Sequence, residues 1–267
     1  IIDFGIISLF CICTCSLFLN FVKISRLNYL SVENLTKSYG EKLLFQNISF
    51  GIDEGQKVAL IAGNGTGKST LLNIIMGLDI PDSGTVTMRN DIRVAYLPQA
   101  PQFDPELSIL DVVLTSDNLY VKATREYELA VELVNHDPSA ANQRLLSEAT
   151  TQMDALAAWD YDSRVKEVLS RLRIGDLNRK MGTLSGGQVR KAALARVLID
   201  ETYFVILDEP TNHLDIDMIE WLEEFLQKQK MALLLVTHDR YFLDNVCDEI
   251  FELDNCSMYH YDGGYAY

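Results

Sequence analysis

The stretch Lys57-Val58-Ala59-Leu60-Ile61-Ala62-Gly63-Asn64-Gly65-Thr66-Gly67-Lys68-Ser69-Thr70-Leu71-Leu72-Asn73-Ile74-Ile75-Met76 decides the fold of this chain. An apolar run of strand character leads into a glycine-rich loop, and the loop opens a segment with apolar residues at helical spacing. Glycines let the backbone turn tightly and aim its N–H groups at phosphate oxygens. A lysine in such a loop adds a compact positive charge, and the hydroxyl after it suits Mg²⁺. The expected phosphate cradle is therefore Gly63, Asn64, Gly65, Thr66, Gly67, Lys68, Ser69 and Thr70, with Ser69 also a metal ligand. The helix that follows adds the positive end of its dipole to the same site. One position departs from the usual G-x-x-x-x-G-K-S: Ala62 stands where the first glycine is expected. Alanine is tolerated there if φ stays negative.

Around that stretch the chain has the bulk properties of a globular α/β protein. It has 267 residues, 48% of them hydrophobic and 23% charged, enough for one large domain or two small ones. A net charge of −15 disfavours a protein that grips bare nucleic acid through its whole surface. Five cysteines (Cys11, Cys13, Cys15, Cys247, Cys256) show no metal-site spacing and no disulfide framework. Residues 1–27 differ from the rest. Ile6 to Val22 is uncharged and mostly apolar, near the lower length limit of a membrane span. The sequence of domain character begins abruptly at Asn28, and no methionine precedes Met76. The expectation is that residues 1–27 are an apolar leader of translated upstream sequence, non-native or disordered, with a start near Leu27, rather than a membrane segment.

Beyond the leader, short apolar or alternating runs read as strands: Leu30-Ser31-Val32, Ile48-Ser49-Phe50, Val58 to Ile61, Thr85 to Met88, and Val94 to Leu97 before Pro98. Tyr203 to Leu207 and Ala232 to Val236 are continuous apolar runs, as in strands buried on both faces. Ser108 to Arg173 reads as helical. Tyr127, Ala130, Val131 and Val134 share one face there, Leu145, Ala149, Met153 and Leu156 another, and Asp137-Pro138-Ser139 breaks the two into a hairpin.

Several further residues belong with a phosphate cradle. Asp208 ends an apolar strand and is placed to hold a Mg²⁺ shell; Glu209 beside it is placed to polarise an attacking water. Ser185-Gly186-Gly187-Gln188 opens a helix running Val189 to Leu198, a second anion-binding helix end. One nucleotide needs one cradle, so this second end suits a nucleotide held by another cassette. His238, after a buried strand, is a candidate sensor of the terminal phosphate. Gln99 is a candidate for contact with Mg²⁺ or water, and Tyr39 for stacking on a base. Read singly, His238 is better taken as a structural histidine, Gln99 is equally a surface-loop amide, and a buried core tyrosine is the alternative for Tyr39.

Together these residues resemble the ATP-binding cassette (ABC) superfamily over about residues 29–267. In that resemblance Tyr39 takes the base-stacking position, Gly63 to Thr70 the Walker A loop, and Gln99 the Q-loop. Leu184 to Gln188 forms the signature, Val205 to Glu209 Walker B, Asp215 the D-loop, and His238 the switch histidine. Asp208-Glu209-Pro210-Thr211-Asn212-His213-Leu214-Asp215 and Val236 to Leu243 look like the ABC-F class, with Uup-like members, and the chain resembles a first cassette of a tandem pair. The resemblance implies an ABC-type P-loop nucleotide-binding domain over 28–267. It would have an antiparallel β subdomain, a mixed or parallel core sheet, and a helical subdomain carrying an arm at about 108–182. It implies ATP and Mg²⁺ as cofactors and ATP hydrolysis that needs a second cassette, in the same polypeptide or in a homodimer. It also implies a ribosome-associated, cytoplasmic role. Nucleic-acid contact stays open: residues 119–157 hold Lys122, Arg125 and Arg144 against Glu126, Glu128, Glu132, Asp137, Glu148 and Asp154. The alternative is the ATP-binding subunit of a membrane transporter.

Overall fold

The structure, a computed structural model, describes residues 27–63, 65–115 and 119–263. The leader therefore lies outside the described residues, except for Leu27. The described part starts with two long strands, β1 (Asn28–Tyr39) and β2 (Lys42–Asp53), followed by β3 (Lys57–Ala62), α1 (Lys68–Ile75), β4 (Ser83–Met88) and β5 (Val94–Leu97). Helices α2 (Ile109–Val113), α3 (Leu119–His136), α4 (Ala140–Leu156), α5 (Trp159–Arg171) and α6 (Gly186–Ile199) come next. The chain then alternates β6 (Phe204–Asp208), α7 (Ile216–Lys228), β7 (Ala232–Val236) and α8 (Arg240–Val246), and closes with β8 (Glu249–Asp254) and β9 (Ser257–Asp262).

These strands make two sheets. One is antiparallel, in the order β2-β1-β4. The other is the core sheet, β5-β6-β7-β3-β8-β9, parallel except where β9 turns back on β8. Every residue of β6 and β7 is buried, which is why neither strand alternates with polar residues. The period-2 pleat divides them between two cores. Phe204 and Ile206 pack with Leu30, Phe45, Leu60, Leu71 and Leu72 between the sheets and α1. Val205 and Leu207 pack on the opposite face with Leu97, Val165, Leu194, Leu198 and Leu222. Burying one such side chain contributes about 1.5–3 kcal/mol. Leu207→Ala therefore strikes the core directly beneath Asp208.

The helical segment breaks where proline and serine require it. α3 ends at His136. Pro138 cannot donate to a continuing ladder, and Ser139 caps α4 by accepting from the Asn142 N–H at 3.5 Å. The antiparallel pair has its buried cluster at the root, Ala123, Met153 and Ala158, with Tyr127 edge-on to Trp159 at 5.1 Å, and Ala130 and Ala149 are buried farther along. Lys166 of α5 ties that root by bonding Glu128 at 3.1 Å and Asp162 at 2.9 Å. Leu145 is a correction to the periodicity reading. It is 48% exposed rather than packed, because among the described residues no third element covers the outer half of the hairpin. Ala62 is the last residue of β3 and is not among the positive-φ residues, so the cradle keeps its geometry without the usual glycine. No helix among the described residues is long and apolar enough to cross a membrane.

Candidate functional site

β3, β6 and β7 lie side by side and parallel, with Leu60 and Asp208 both in register with Val236. Their carboxyl ends therefore release three loops at one edge of the sheet, which is where open α/β sheets bind ligands. The loops enclose a cavity of about 580 Å³, lined by Tyr39, Lys68, Ser69, Thr70, Gln99, Asp208, Glu209 and His238 among others.

The glycine loop forms one wall. Gly65 and Gly67 hold left-handed φ values of +75° and +106°. A Cβ on Gly67 would also come within 3.0 Å of the Leu44 Cβ, so glycine is required there twice over. Gly67 caps α1 with no side-chain hydrogen bond and no acidic residue follows in the first turn, which leaves the helix N–H groups free for an anion. Thr66 donates to the Gly63 carbonyl at 2.8 Å. Asn64 lies outside the described residues. Lys68 donates to the Ala62 carbonyl at 2.7 Å, and its Nζ lies 3.1 Å from His238 Nε2. Burial pulls the Lys68 pKa down, and the charges of Glu209 and Asp208 pull it back up in part.

Asp208 and Glu209 form the facing wall. Burial pushes the Asp208 carboxyl up to about 6, and the neighbouring Glu209 charge adds to the rise; Arg190 and Lys68 act against it. Glu209 adopts a left-handed φ of +54°, uncommon for any residue but glycine. Its N–H donates to the Val236 carbonyl at 2.7 Å, and its Oε2 accepts from the Thr237 hydroxyl at 3.4 Å. His238 Nε2 lies 3.6 Å from Glu209 Oε1. Asp208 Oδ2 and Glu209 Oε1 are buried without a hydrogen-bond donor. An orphaned buried acceptor costs about 1–3 kcal/mol, more when charged. A divalent cation and a polarised water would supply the missing partners, so these residues fit Mg²⁺ with a polyphosphate.

The base end is built from Tyr39, which is 55% exposed and so is not a core tyrosine. Its hydroxyl donates to Asp79 Oδ2 at 2.5 Å, and Lys37 bonds the other Asp79 oxygen at 3.0 Å while sitting over the ring at 5.0 Å. The bonds from Tyr39 and Lys37 hold the Asp79 carboxyl below the usual carboxylate range.

Ser185, Gly186, Gly187 and Gln188 do not line this cavity. They open α6, and Ser185 and Gln188 form a reciprocal capping box: Gln188 N–H to Ser185 Oγ at 3.3 Å, Ser185 N–H to Gln188 Oε1 at 3.0 Å. Asp215 caps α7 through Met218 N–H and pairs with Arg173 at 2.7 Å.

Sequence reasoning missed four contributors. Lys42 donates to the Gly65 carbonyl at 2.8 Å, Leu44 packs behind Gly67, and Asp79 orients Tyr39. Arg190 donates to the carbonyls of Gln99, Asp208 and Glu209. Lys42, Leu44 and Asp79 reach the site by sheet and loop packing that no local spacing announces. Arg190 carried one usable signal, a charge on an otherwise apolar face of a helix bound for the core.

Comparison with known proteins agrees with this geometry. A family model described as ABC transporter matches residues 45–212. The chain is 43% identical over 240 residues to the uncharacterized ABC transporter ATP-binding protein YfmR of Bacillus subtilis, covering 90% of this chain and 38% of that one. It is 33% identical to the energy-dependent translational throttle protein EttA of Mycobacterium tuberculosis (88% and 42%) and 35% identical to the ATP-binding protein Uup of Escherichia coli (90% and 38%). The chain thus spans less than half the length of these relatives. A solved structure described as the ATP binding subunit of an ABC transporter superimposes with a TM-score of 0.64 at 25% identity, covering 88% of this chain and 90% of that one. With its phosphate loop, paired carboxylates and two-sheet architecture matching that family, the chain belongs to the ABC transporter family as an ATP-binding cassette domain.

Proposed function

We propose that this chain is an ABC-F type cassette, residues 28–267, that binds Mg²⁺-ATP and hydrolyses it when paired with a second cassette, coupling closure of the pair to work on the ribosome in the cytoplasm. Two orphaned carboxylate oxygens, on Asp208 and Glu209, across the cavity from the uncapped end of α1 carry the hydrolytic reading. Backbone N–H groups from Gly65 to Thr70, with Lys68, hold the phosphates, and Tyr39 stacks on the base. Ser69, Gln99 and Asp208 hold Mg²⁺, which when bound neutralises charge on the terminal phosphates. Glu209 accepts the proton of the attacking water, and His238, 3.6 Å away, leaves Lys68 to meet the terminal phosphate. Ser185, Gly186, Gly187 and Gln188 lie outside this cavity and serve the nucleotide of the second cassette.

The ABC-F reading is supported by EttA and Uup among the relatives, and by the α3–α4 hairpin as the arm of a helical subdomain at about 108–182. The transporter reading is favoured by the likeness to a transporter's ATP-binding subunit. Sedimentation of the full-length Glu209→Gln protein with purified ribosomes and with membrane vesicles, with and without Mg²⁺-ATP, separates the two. ATP-dependent recovery with ribosomes is expected. Recovery with membranes and none with ribosomes overturns the ABC-F reading.

A further inference from the structure

Arg190 is buried, with 7% of its surface exposed, on the second turn of α6. Its guanidinium fork spans two loops. One terminal nitrogen donates to the Gln99 carbonyl after β5. The other donates to the Asp208 carbonyl at 2.8 Å and to the Glu209 carbonyl at the end of β6. A buried arginine that spends both terminal nitrogens on main-chain oxygens fixes the path of the backbone, and a planar fork does so more rigidly than an ammonium.

The path being fixed is an unfavourable one. Glu209 holds φ at +54°, a conformation that persists for a non-glycine residue only when its surroundings over-determine it. Val236 takes the Glu209 N–H and Arg190 takes the Glu209 carbonyl, so the peptide is gripped on both sides. The Glu209 side chain leaves the backbone between those two grips, and its direction follows from them. Gln99 is held through its carbonyl by the same guanidinium. The helix carrying Arg190 begins at Gly186 behind its Ser185 cap. At about 1.5 Å per residue, the cap and the arginine are roughly 7 Å apart along one rigid rod.

We infer that Arg190 is a positioning residue for hydrolysis: it sets Gln99 and Glu209 from the α6 side, and so ties the helix end offered to the second cassette to the water-handling side of this one. The inference rests on the ATPase reading above. It is tested in the full-length protein with Arg190→Lys and Arg190→Met, each alone and combined with Glu209→Gln, after thermal melts have excluded unfolded variants.

Arg190→Lys is expected to lower kcat by about tenfold or more while ATP affinity stays within roughly threefold, and Arg190→Met to lower kcat further. On the Glu209→Gln background, residual single-turnover hydrolysis should change less than about twofold, because both substitutions remove the same function. Amide exchange should quicken in the segments around Gln99 and Glu209 and stay unchanged along α1. Equal losses of affinity and kcat, additive losses on the Glu209→Gln background, or unchanged exchange at the two loops would overturn the inference. A wild-type protein that turns over no ATP would instead sink the ATPase reading, and the exchange pattern would then decide the grip of Arg190 by itself.

Discussion

The chain has two glycine-marked helix ends, and they are finished in opposite ways. α1 starts from Gly67 with no side-chain cap, a left-handed turn before it and Lys68 in its first position. α6 starts from Ser185 with a complete capping box. The α1 end has unmet donors and waits for an anion in its own cavity. The α6 end has two of its leading N–H groups, those of Ser185 and Gln188, met by the box. Yet the Ser185 hydroxyl, accepting from Gln188, still has its own proton to give. A ligand meets an uncapped end at α1 and a partly capped one at α6, as suits a nucleotide held from one side until another molecule closes over it.

That contrast can be broken or sharpened. The largest effect is expected on the wall facing α1: Glu209→Gln should lower the rate of phosphate release by about 10²–10⁴ while nucleotide stays bound. Unchanged turnover would remove Glu209 as the base. Next is Lys68→Ala, which takes a charge-assisted contact from the uncapped end and should weaken ATP binding by roughly 10–100-fold in titration calorimetry. Undiminished affinity would mean that the α1 end does not wait for phosphate at all.

Asp208→Asn should act in opposite directions with and without metal. The folded carboxyl titrates near 6, above its unfolded value of about 3.9, so it destabilises the metal-free fold fully above pH 6 and less as pH falls toward 4. The asparagine variant should therefore melt a few degrees higher than wild type at neutral pH without Mg²⁺, lose that advantage in acid, and be stabilised less by Mg²⁺-ATP. A lower melting point at neutral pH without metal would contradict the burial argument. The smallest effect belongs to the α6 end. Ser185→Ala should cost about 1 kcal/mol of stability and leave the ATP affinity of this cassette unchanged. A loss of affinity in the isolated cassette would place α6 at the cavity from which the structure excludes it.

Much of this was legible in the chain itself, for physical reasons that differ by region. Strands β6 and β7 announced themselves because burial on both faces leaves no room for polar residues, and the phosphate loop because its glycines are forced by backbone geometry. The hairpin break at Asp137-Pro138-Ser139 was readable because proline and a capping serine act locally. The exposure of Leu145 was not, since a helical stripe says which face is apolar and not whether anything covers it. Tyr39 was ambiguous for the same reason, until Asp79, forty residues away, fixed its hydroxyl. Arg190 and Lys42 act through main-chain carbonyls, and carbonyls carry no side-chain identity to read.

The root of the α3–α4 hairpin has a mechanical consequence. Eighteen residues of α3 make a rod about 27 Å long, pinned as far as its middle by Ala123, Met153 and Ala158 and by the Lys166–Glu128 ion pair. From Glu128 about 12 Å of α3 runs on to His136, so a tilt of about 10° at the pin swings the far end by roughly 2 Å. A shift in α5 small enough to leave the core packed thus reaches the tip as a stroke of about 2 Å, less than half a helical turn.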